Sequence, residues 1–293
     1  MVPEFLKEKI LKNYNEEYLE LITKGYNIDR PVTLRINNLK TTKEEVLNIF
    51  KDNNIEYEEV KWYENALIIK NVKEDIITKL DIYEKGYIYL QSLSSMLPPL
   101  FMNLKENSQI LDMAAAPGGK TTEMAAISNN TIMITATEKN KIRADRLKYN
   151  IEKQGAKKVQ ILNEDARNLN EYFIFDEILL DAPCSGSGTL TNNNIENFNE
   201  DLVNRSINFQ KSLLTNAIKH LKTGCEMIYS TCSILKEENE EVLNYVLQNN
   251  DIEIIPIEQI EGLPYLPVTI PGTICLYPNE LYEGFFVSKI RKK

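Results

Sequence analysis

The apolar residues change their period along the chain. Up to about residue 27, Phe5, Leu6, Ile10, Leu11, Tyr14, Tyr18, Leu19 and Ile22 recur at helical spacing, predicting one or two amphipathic helices that end near Gly25. Pro31 to Asn37 alternates as a strand does, and Thr42 with Glu45 forms a capping box for a helix through Phe50. A strand pair follows over Tyr57 to Lys70, then a short helix over Glu74 to Leu80. This order predicts a small α+β unit laid out like an RNA-recognition module (RRM), without a visible aromatic RNP motif. Gly86 to Leu100 joins it to the rest, with a helix beginning near Ser92 and Pro98 and Pro99 near its end.

From Ile110 the pattern becomes strand, helix, strand. Strands are expected at about 109–113, 132–138, 158–163, 177–181 and 225–230, with helices near 120–128, 141–154 and 201–222. Such alternation predicts an α/β, Rossmann-like, doubly wound parallel sheet whose ligand crevice lies at the carboxyl ends of the strands. Glu138, Asp165, Asp181 and Cys232 all fall at such ends. IEIIPI and GTICLYPNELYEGFFVSKI supply final, antiparallel strands. The expected partition is 1–90 for the N-terminal helices and RRM-like segment, and 91–293 for a catalytic domain.

The stretch Ile110 to Ile127 reads as a strand, a small-residue turn and a helix. Ala114, Ala115, Ala116, Pro117, Gly118 and Gly119 present almost no side chain, so backbone can approach a ligand closely. Lys120, Thr121 and Thr122 then open a helix whose unpaired N–H groups suit an anionic or carboxylate-bearing ligand. A P-loop would need glycine where Ala114 stands, and the dinucleotide pattern G-x-G-x-x-G is absent. Glu138, 19 residues past Gly119, lies where a ribose-binding acid would sit. The remaining reading is S-adenosylmethionine (SAM) on an α/β methyltransferase.

Composition narrows the partners. With 293 residues and 43% hydrophobic content the chain can bury a large core, but its net charge of −9 means that any nucleic-acid face must be local. Candidate clusters are Lys139, Lys141, Arg143, Arg146 and Lys148, then Lys157 and Lys158, and the terminal Lys289, Arg291, Lys292 and Lys293. Four cysteines without a C-x-x-C pair, and no signal peptide or long apolar span, predict a reduced, cytoplasmic protein without a membrane segment. One histidine, His220, rules against a histidine-rich metal site or a Ser-His-Asp hydrolase, and no metal is expected.

DAPCSGSG, Asp181 to Gly188, and YSTCS, Tyr229 to Ser233, each follow an apolar strand, so Cys184 and Cys232 are expected to face one crevice. A methyltransferase that needs a thiol points to a weak carbon nucleophile such as cytosine C5. Thiolate addition at C6 turns the ring into an enamine whose C5 can take the methyl. Asp181, protonated through burial, suits the pyrimidine N3 and exocyclic amine. An NPPY-like turn of amine methyltransferases is replaced here by Ala182-Pro183-Cys184. The residues alone leave open which cysteine attacks.

The segments PVTLRIN, GYIYLQSLSS, DMAAAPGGKTT, DAPCSGSG, YSTCS, and YP followed by GFF, in this order, resemble the Sun-type (RsmB/NSUN-like) RNA cytosine-5 methyltransferase family over nearly the whole chain. The resemblance implies a class I SAM-dependent methyltransferase domain preceded by an RRM-like segment, and points to an archaeal enzyme acting on tRNA, with rRNA second. A catalytically idle RNA-binding protein on the same fold is the reading from another class. It further implies Cys232 as nucleophile and Cys184 as the thiol that assists release, with Lys120 and Asp181 orienting the cytosine. Ala114 to Lys120, Glu138, Arg143, Asp165 and Asp181 would line the SAM site, Glu138 on the ribose and Asp165 near the adenine. Asn279 stands where the family often has histidine, and no PUA-like extension is present. A monomer is expected, with room for an accessory protein.

Overall fold

A computed structural model describes residues 2–293. The N-terminal helical stripe is two helices, α1 (Glu4–Asn13) and α2 (Glu16–Tyr26), because Asn15 leaves helical geometry and its side chain accepts the Tyr18 amide hydrogen at 3.0 Å. β1 (Thr33–Ile36) leads to α3 (Lys43–Asp52), β2 (Tyr57–Glu59), β3 (Ala66–Ile69), two short helices α4 (Glu74–Ile77) and α5 (Asp81–Glu84), and β4 (Ile88–Leu90). Half of the expected capping box forms. Thr42 Oγ1 accepts from the Glu45 amide at 3.2 Å, whereas the Glu45 carboxylate accepts from Thr41 Oγ1 at 2.6 Å.

The rest of the chain runs α6 (Leu93–Leu100), β5 (Gln109–Asp112), α7 (Gly119–Ile127), β6 (Met133–Thr137), α8 (Lys141–Gln154), β7 (Val159–Leu162) and β8 (Phe175–Asp181). It continues through α9 (Glu200–His220), β9 (Leu221–Thr231), α10 (Glu240–Asn249), β10 (Ile252–Ile255), β11 (Tyr265–Leu266), β12 (Ile274–Leu276) and β13 (Phe285–Lys292). Residues 30–166 form one compact unit, and residues 2–29 with 167–293 form another.

In the first unit β1 to β4 pair antiparallel in the order β2-β3-β1-β4, and their apolar face packs with α3 around Leu34, Ile36, Val46, Phe50 and Leu67. β4 lies in the segment read as a connector. Three residues carry no alternation to betray a strand, but their main chain completes the sheet against β1. β5, β6 and β7 are parallel, and α8 lays Leu147 and Ile151 on Ala115, Ala116 and Ala136.

In the second unit β8 and β9 are parallel, β13 runs antiparallel to β9, and the two halves of β13 pair with β12 and β10. Two features depart from the pattern. α10 grows out of the acidic run KEENEE, and its apolar stripe Val242, Leu243 and Val246 is buried. The C-terminal cations have partners within the chain: Lys289 and Arg291 pair with Glu226 at 2.7 and 2.5 Å, and Lys292 donates to the Ile218 and Leu221 carbonyls. His220 is the helix residue expected, buried at the end of α9 with Nδ1 on the Phe173 carbonyl oxygen at 2.7 Å.

A buried polar network fixes the start of α7. Arg35 of β1 donates to Thr122 Oγ1 at 3.1 Å and to the Gly119 carbonyl at 3.4 Å, while Gln91 donates to Glu123 at 2.8 Å. Burial pushes the Glu123 carboxyl up to about 7, against the opposing pull of Arg35, the Gln91 hydrogen bond and Lys120. A carboxyl whose folded pKa is raised binds its proton more tightly when folded, so its contribution is full below the unfolded pKa and is lost as pH rises through 7. The difference amounts to roughly 3 kcal/mol. Melting temperature is therefore expected to fall between pH 5 and pH 8 in the wild type, and Glu123→Gln to flatten that slope. Equal slopes would show that Glu123 does not titrate in this window.

Candidate functional site

β5 and β6 deliver the small-residue loop and Glu138. β5 ends at Asp112, whose carboxylate accepts from Thr121 Oγ1 at 2.7 Å, and the Ala115 amide donates to the Thr137 carbonyl at 3.0 Å. The loop thus lies across the ends of two parallel strands. Gly118 adopts φ +108, which side chains rarely tolerate, and a Cβ there would meet Leu147 at 3.0 Å. No side chain caps the N-terminus of α7, which leaves its positive pole to a ligand.

Glu138 follows β6 directly and is buried. Its Oε1 accepts from the Asn140 amide at 2.8 Å and Oε2 faces Arg143 Nε at 3.4 Å. Arg143 also donates to the Ala116 carbonyl at 2.9 Å, so it braces the loop against the acid. A carboxylate has about four acceptor positions, which leaves Glu138 capacity for a pair of ribose hydroxyls. Asp165 stands half-buried beyond β7, and Asn163 between them donates to the Glu138 carbonyl at 2.7 Å. Lys120 Nζ donates to Ser95 Oγ at 2.8 Å. The side-chain-free loop, open helix pole and buried acceptor fit an adenosine-type cofactor with a carboxylate tail.

The other unit brings Asp181, Cys184 and Cys232 together. In the β8–β9 register Asp181 stands opposite Ser230, whose hydroxyl donates to Asp181 Oδ1 at 2.7 Å. The chain then turns at Pro183, which has no N–H to continue the strand. Cys184 Sγ reaches Cys232 Sγ at 2.9 Å, both thiols retaining some exposure. The contact with Cys232 and the loss of water push the Cys184 thiol up, and the charge of Glu238 adds to the effect. Tight backbone contacts hold the two turns: the Gly188 amide donates to the Cys232 carbonyl at 2.9 Å and the Gly284 amide to the Gly188 carbonyl at 2.8 Å. A Cβ on Gly188 would lie 2.0 Å from the Gly284 oxygen.

Cys225 and Cys275 are not part of this pair. Cys225 is seven residues upstream of Cys232, roughly 23 Å along an extended strand, and Cys275 is buried in β12. Glu238 is a site residue that the pattern reading misses. It sits in KEENEE, which reads as a solvated charge run, yet it is fully buried and bonded to Ser185 and Ser233. Arg35, Gln91 and Ser95, which hold Gly119, Thr122, Glu123 and Lys120, are missed for a similar reason, since one-residue contacts across distant segments leave no local signature.

Parallel strands carrying an open loop, a buried acid after β6 and a further acid beyond β7 belong to the class I SAM-dependent methyltransferase fold, here with an N-terminal ferredoxin-like domain. Residues 99–291 match the 16S rRNA methyltransferase RsmB/F family and residues 2–74 the ferredoxin-like domain of RsmF/B-like methyltransferases. The chain belongs to this RsmB/F, or Sun-type, family. It is 34% identical to Ribosomal RNA small subunit methyltransferase F of Shewanella piezotolerans, over 89% of this chain and 57% of that protein. It is 32% identical to 28S rRNA (cytosine-C(5))-methyltransferase of Mus musculus, over 99% of this chain and 38% of that one. The chain thus spans little more than half the length of the first relative and less of the second.

Among solved structures, a methyltransferase homolog protein from Pyrococcus horikoshii is 30% identical with a TM-score of 0.82, each chain covered in full at 100%. NSun6 from Pyrococcus horikoshii with SFG, at 23% identity and a TM-score of 0.88 over 99% of this chain and 98% of that one, shares the fold. Among the described residues no helix is long and apolar enough to cross a membrane.

Calorimetry with SAM, ATP and NAD is expected to detect binding of SAM only. Glu138→Ala should weaken that binding by about 1 to 3 kcal/mol, the worth of charge-assisted hydrogen bonds to ribose hydroxyls. Tight ATP binding without SAM binding would overturn the assignment of the loop.

Proposed function

We propose that this protein methylates C5 of cytosine in RNA through a covalent adduct between Cys232 and cytosine C6. The observation that carries this reading is the meeting of two thiols, 2.9 Å apart, beyond the ends of adjacent parallel strands. Amine and hydroxyl acceptors need no thiol, whereas an aromatic carbon does. Membership of the RsmB/F family and the likeness to a cytosine-C(5) methyltransferase support the same chemistry.

In this reading Ala114 to Lys120, Glu138, Arg143, Asp165 and Asp181 hold SAM, with Glu138 on the ribose and Asp165 toward the adenine. The bound cofactor supplies the electrophilic methyl group. Asp181, steadied by the Ser230 hydroxyl, takes the N3 and exocyclic amine edge of the cytosine, and Lys120, resting on Ser95, helps to orient the base. Cys232 adds to C6, so that C5 gains the electron density to accept the methyl. Transfer of the C5 proton to solvent and expulsion of the Cys232 thiolate restore the aromatic ring. Cys184, with its sulfur 2.9 Å from that of Cys232, stands where it can give a proton to the departing Cys232 sulfur at the release step.

The substrate we infer is tRNA, as the family resemblance implies, bound by a monomeric, cytoplasmic enzyme that an accessory protein can assist. The names of the curated relatives favour rRNA as the second reading. RNA contact is assigned to the RRM-like segment within residues 1–90 and to the exposed Lys141, Arg146 and Lys148 of α8 in the catalytic part, 91–293.

Cys232→Ala is expected to abolish both methyl transfer and the covalent protein–RNA species. Cys184→Ala should let that species accumulate and survive denaturing electrophoresis. RNA carrying 5-fluorocytosine should trap the wild type and not Cys232→Ala. The reverse pattern for the two variants would make Cys184 the nucleophile. RNA affinity should fall with salt, and neutralising Arg146 or Lys148 should reduce the slope by about 1 each. An unchanged slope would exclude α8 from the interface.

A further inference from the structure

Glu238 has no part in the chemistry above, yet its surroundings are built around it. Its carboxylate accepts from the Ser185 amide at 2.7 Å, the Ser185 hydroxyl at 2.5 Å, the Ser233 hydroxyl at 2.6 Å and Gln210 Nε2 at 3.5 Å. Ser185 and Ser233 are the residues that follow Cys184 and Cys232. The remaining flanks are held by neighbours of the same carboxylate. Gln210 also donates to the Pro183 carbonyl at 3.2 Å, ahead of Cys184. Asn239 accepts from Thr231 Oγ1 at 2.5 Å and donates to the Ser233 carbonyl at 2.9 Å, on either side of Cys232. Tyr229 Oη, in turn, donates to the Glu238 carbonyl at 2.8 Å.

We propose that Glu238 is a positioning residue: one buried carboxylate, bonded to the residue after each cysteine, holds the two cysteine turns at the separation at which their sulfurs touch. The proposal deepens the two-thiol mechanism and rests on it. Stability alone gives little reason for such a group, because a buried charge is often replaced by apolar residues of similar volume without loss. A carboxylate is suited to the task for a geometric reason. It is acceptor-only with about four acceptor positions, so it can gather an amide and two hydroxyls from two separate turns at once. Ser187 Oγ, 2.8 Å from Ser233 Oγ, extends the same clamp to the GSG turn.

The test uses the full chain as wild type, Glu238→Ala and Glu238→Gln. The first readout is the rate at which diamide, which takes up the two hydrogens, closes Cys184 and Cys232 into a disulfide located by peptide mass spectrometry. The second is kcat and KM for cytosine methylation. Glu238→Ala should slow closure by more than about tenfold and lower kcat by up to about a hundredfold, with KM for SAM unchanged, as expected when oriented groups are displaced by about an ångström. Glu238→Gln keeps the shape and can still bond both serines, whose hydroxyls rotate, so it should restore most of both rates.

Closure at the wild-type rate in folded Glu238→Ala would overturn the proposal, as would a Gln variant as slow as Ala. If Glu238→Ala does not fold by circular dichroism, the Ser185→Ala/Ser233→Ala double variant carries the same expectations and the same refutation. Disulfide closure needs neither RNA nor cofactor. A wild type that closes the disulfide but never methylates cytosine would therefore refute the activity, and the closure rates of the two variants would still uphold or overturn the role of Glu238.

Discussion

The parallel register of β8 on β9 is the constraint on which the thiol pair depends. Asp181 stands opposite Ser230, so both strands end level and their turns leave the sheet at one edge. Side chains alternate along a strand, and a slip of one residue would turn Asp181 and Ser230 to opposite faces. The turns are then pressed together by contacts in which glycine cannot be replaced, since a Cβ on Gly284 would meet Ile234 at 2.5 Å and the Gly188 Cα at 2.7 Å. Pairing of backbones thereby becomes proximity of sulfurs.

Buried carboxylates recur in both units, and each is held in a different way. Glu138 is met by an amide and a guanidinium, Glu238 by serines and an amide, and Glu123 by Gln91 with Arg35 nearby. Burial raises the pKa of Glu123 and Glu238 because desolvation outweighs their hydrogen bonds. Charges removed from water in this way rarely add net stability.

Much of this was legible in the sequence because the strand ends carry their own punctuation. The strand, small-residue loop, helix, strand and acid order marked Ala114 to Glu138, and Pro-Cys and Thr-Cys after two apolar strands marked Cys184 and Cys232. β4 and α5 were too short for periodicity to speak, and α10 was hidden by an acidic run whose solvent-like composition masks a buried stripe. The C-terminal cations read as a basic face because composition shows charges without their partners, here Glu226 and Glu253. Glu238 was illegible for the same reason: only the fold reveals that it, like Glu240 in the same acidic run, has left the water.

The helices α1 and α2 belong with residues 167–293 rather than with the unit that follows them in the chain. Gly25 packs against the Pro278 carbonyl so closely that a Cβ would come within 1.9 Å of it. During synthesis at 5–20 residues per second, α2 therefore waits roughly 12 to 50 s for its neighbour to leave the ribosome. For that interval Ile22 and Tyr26, buried in the finished protein, have no native cover from that segment. Residues 30–166 can meanwhile complete their own core, so the order of translation separates an early-closing unit from one that closes only when its last loop arrives.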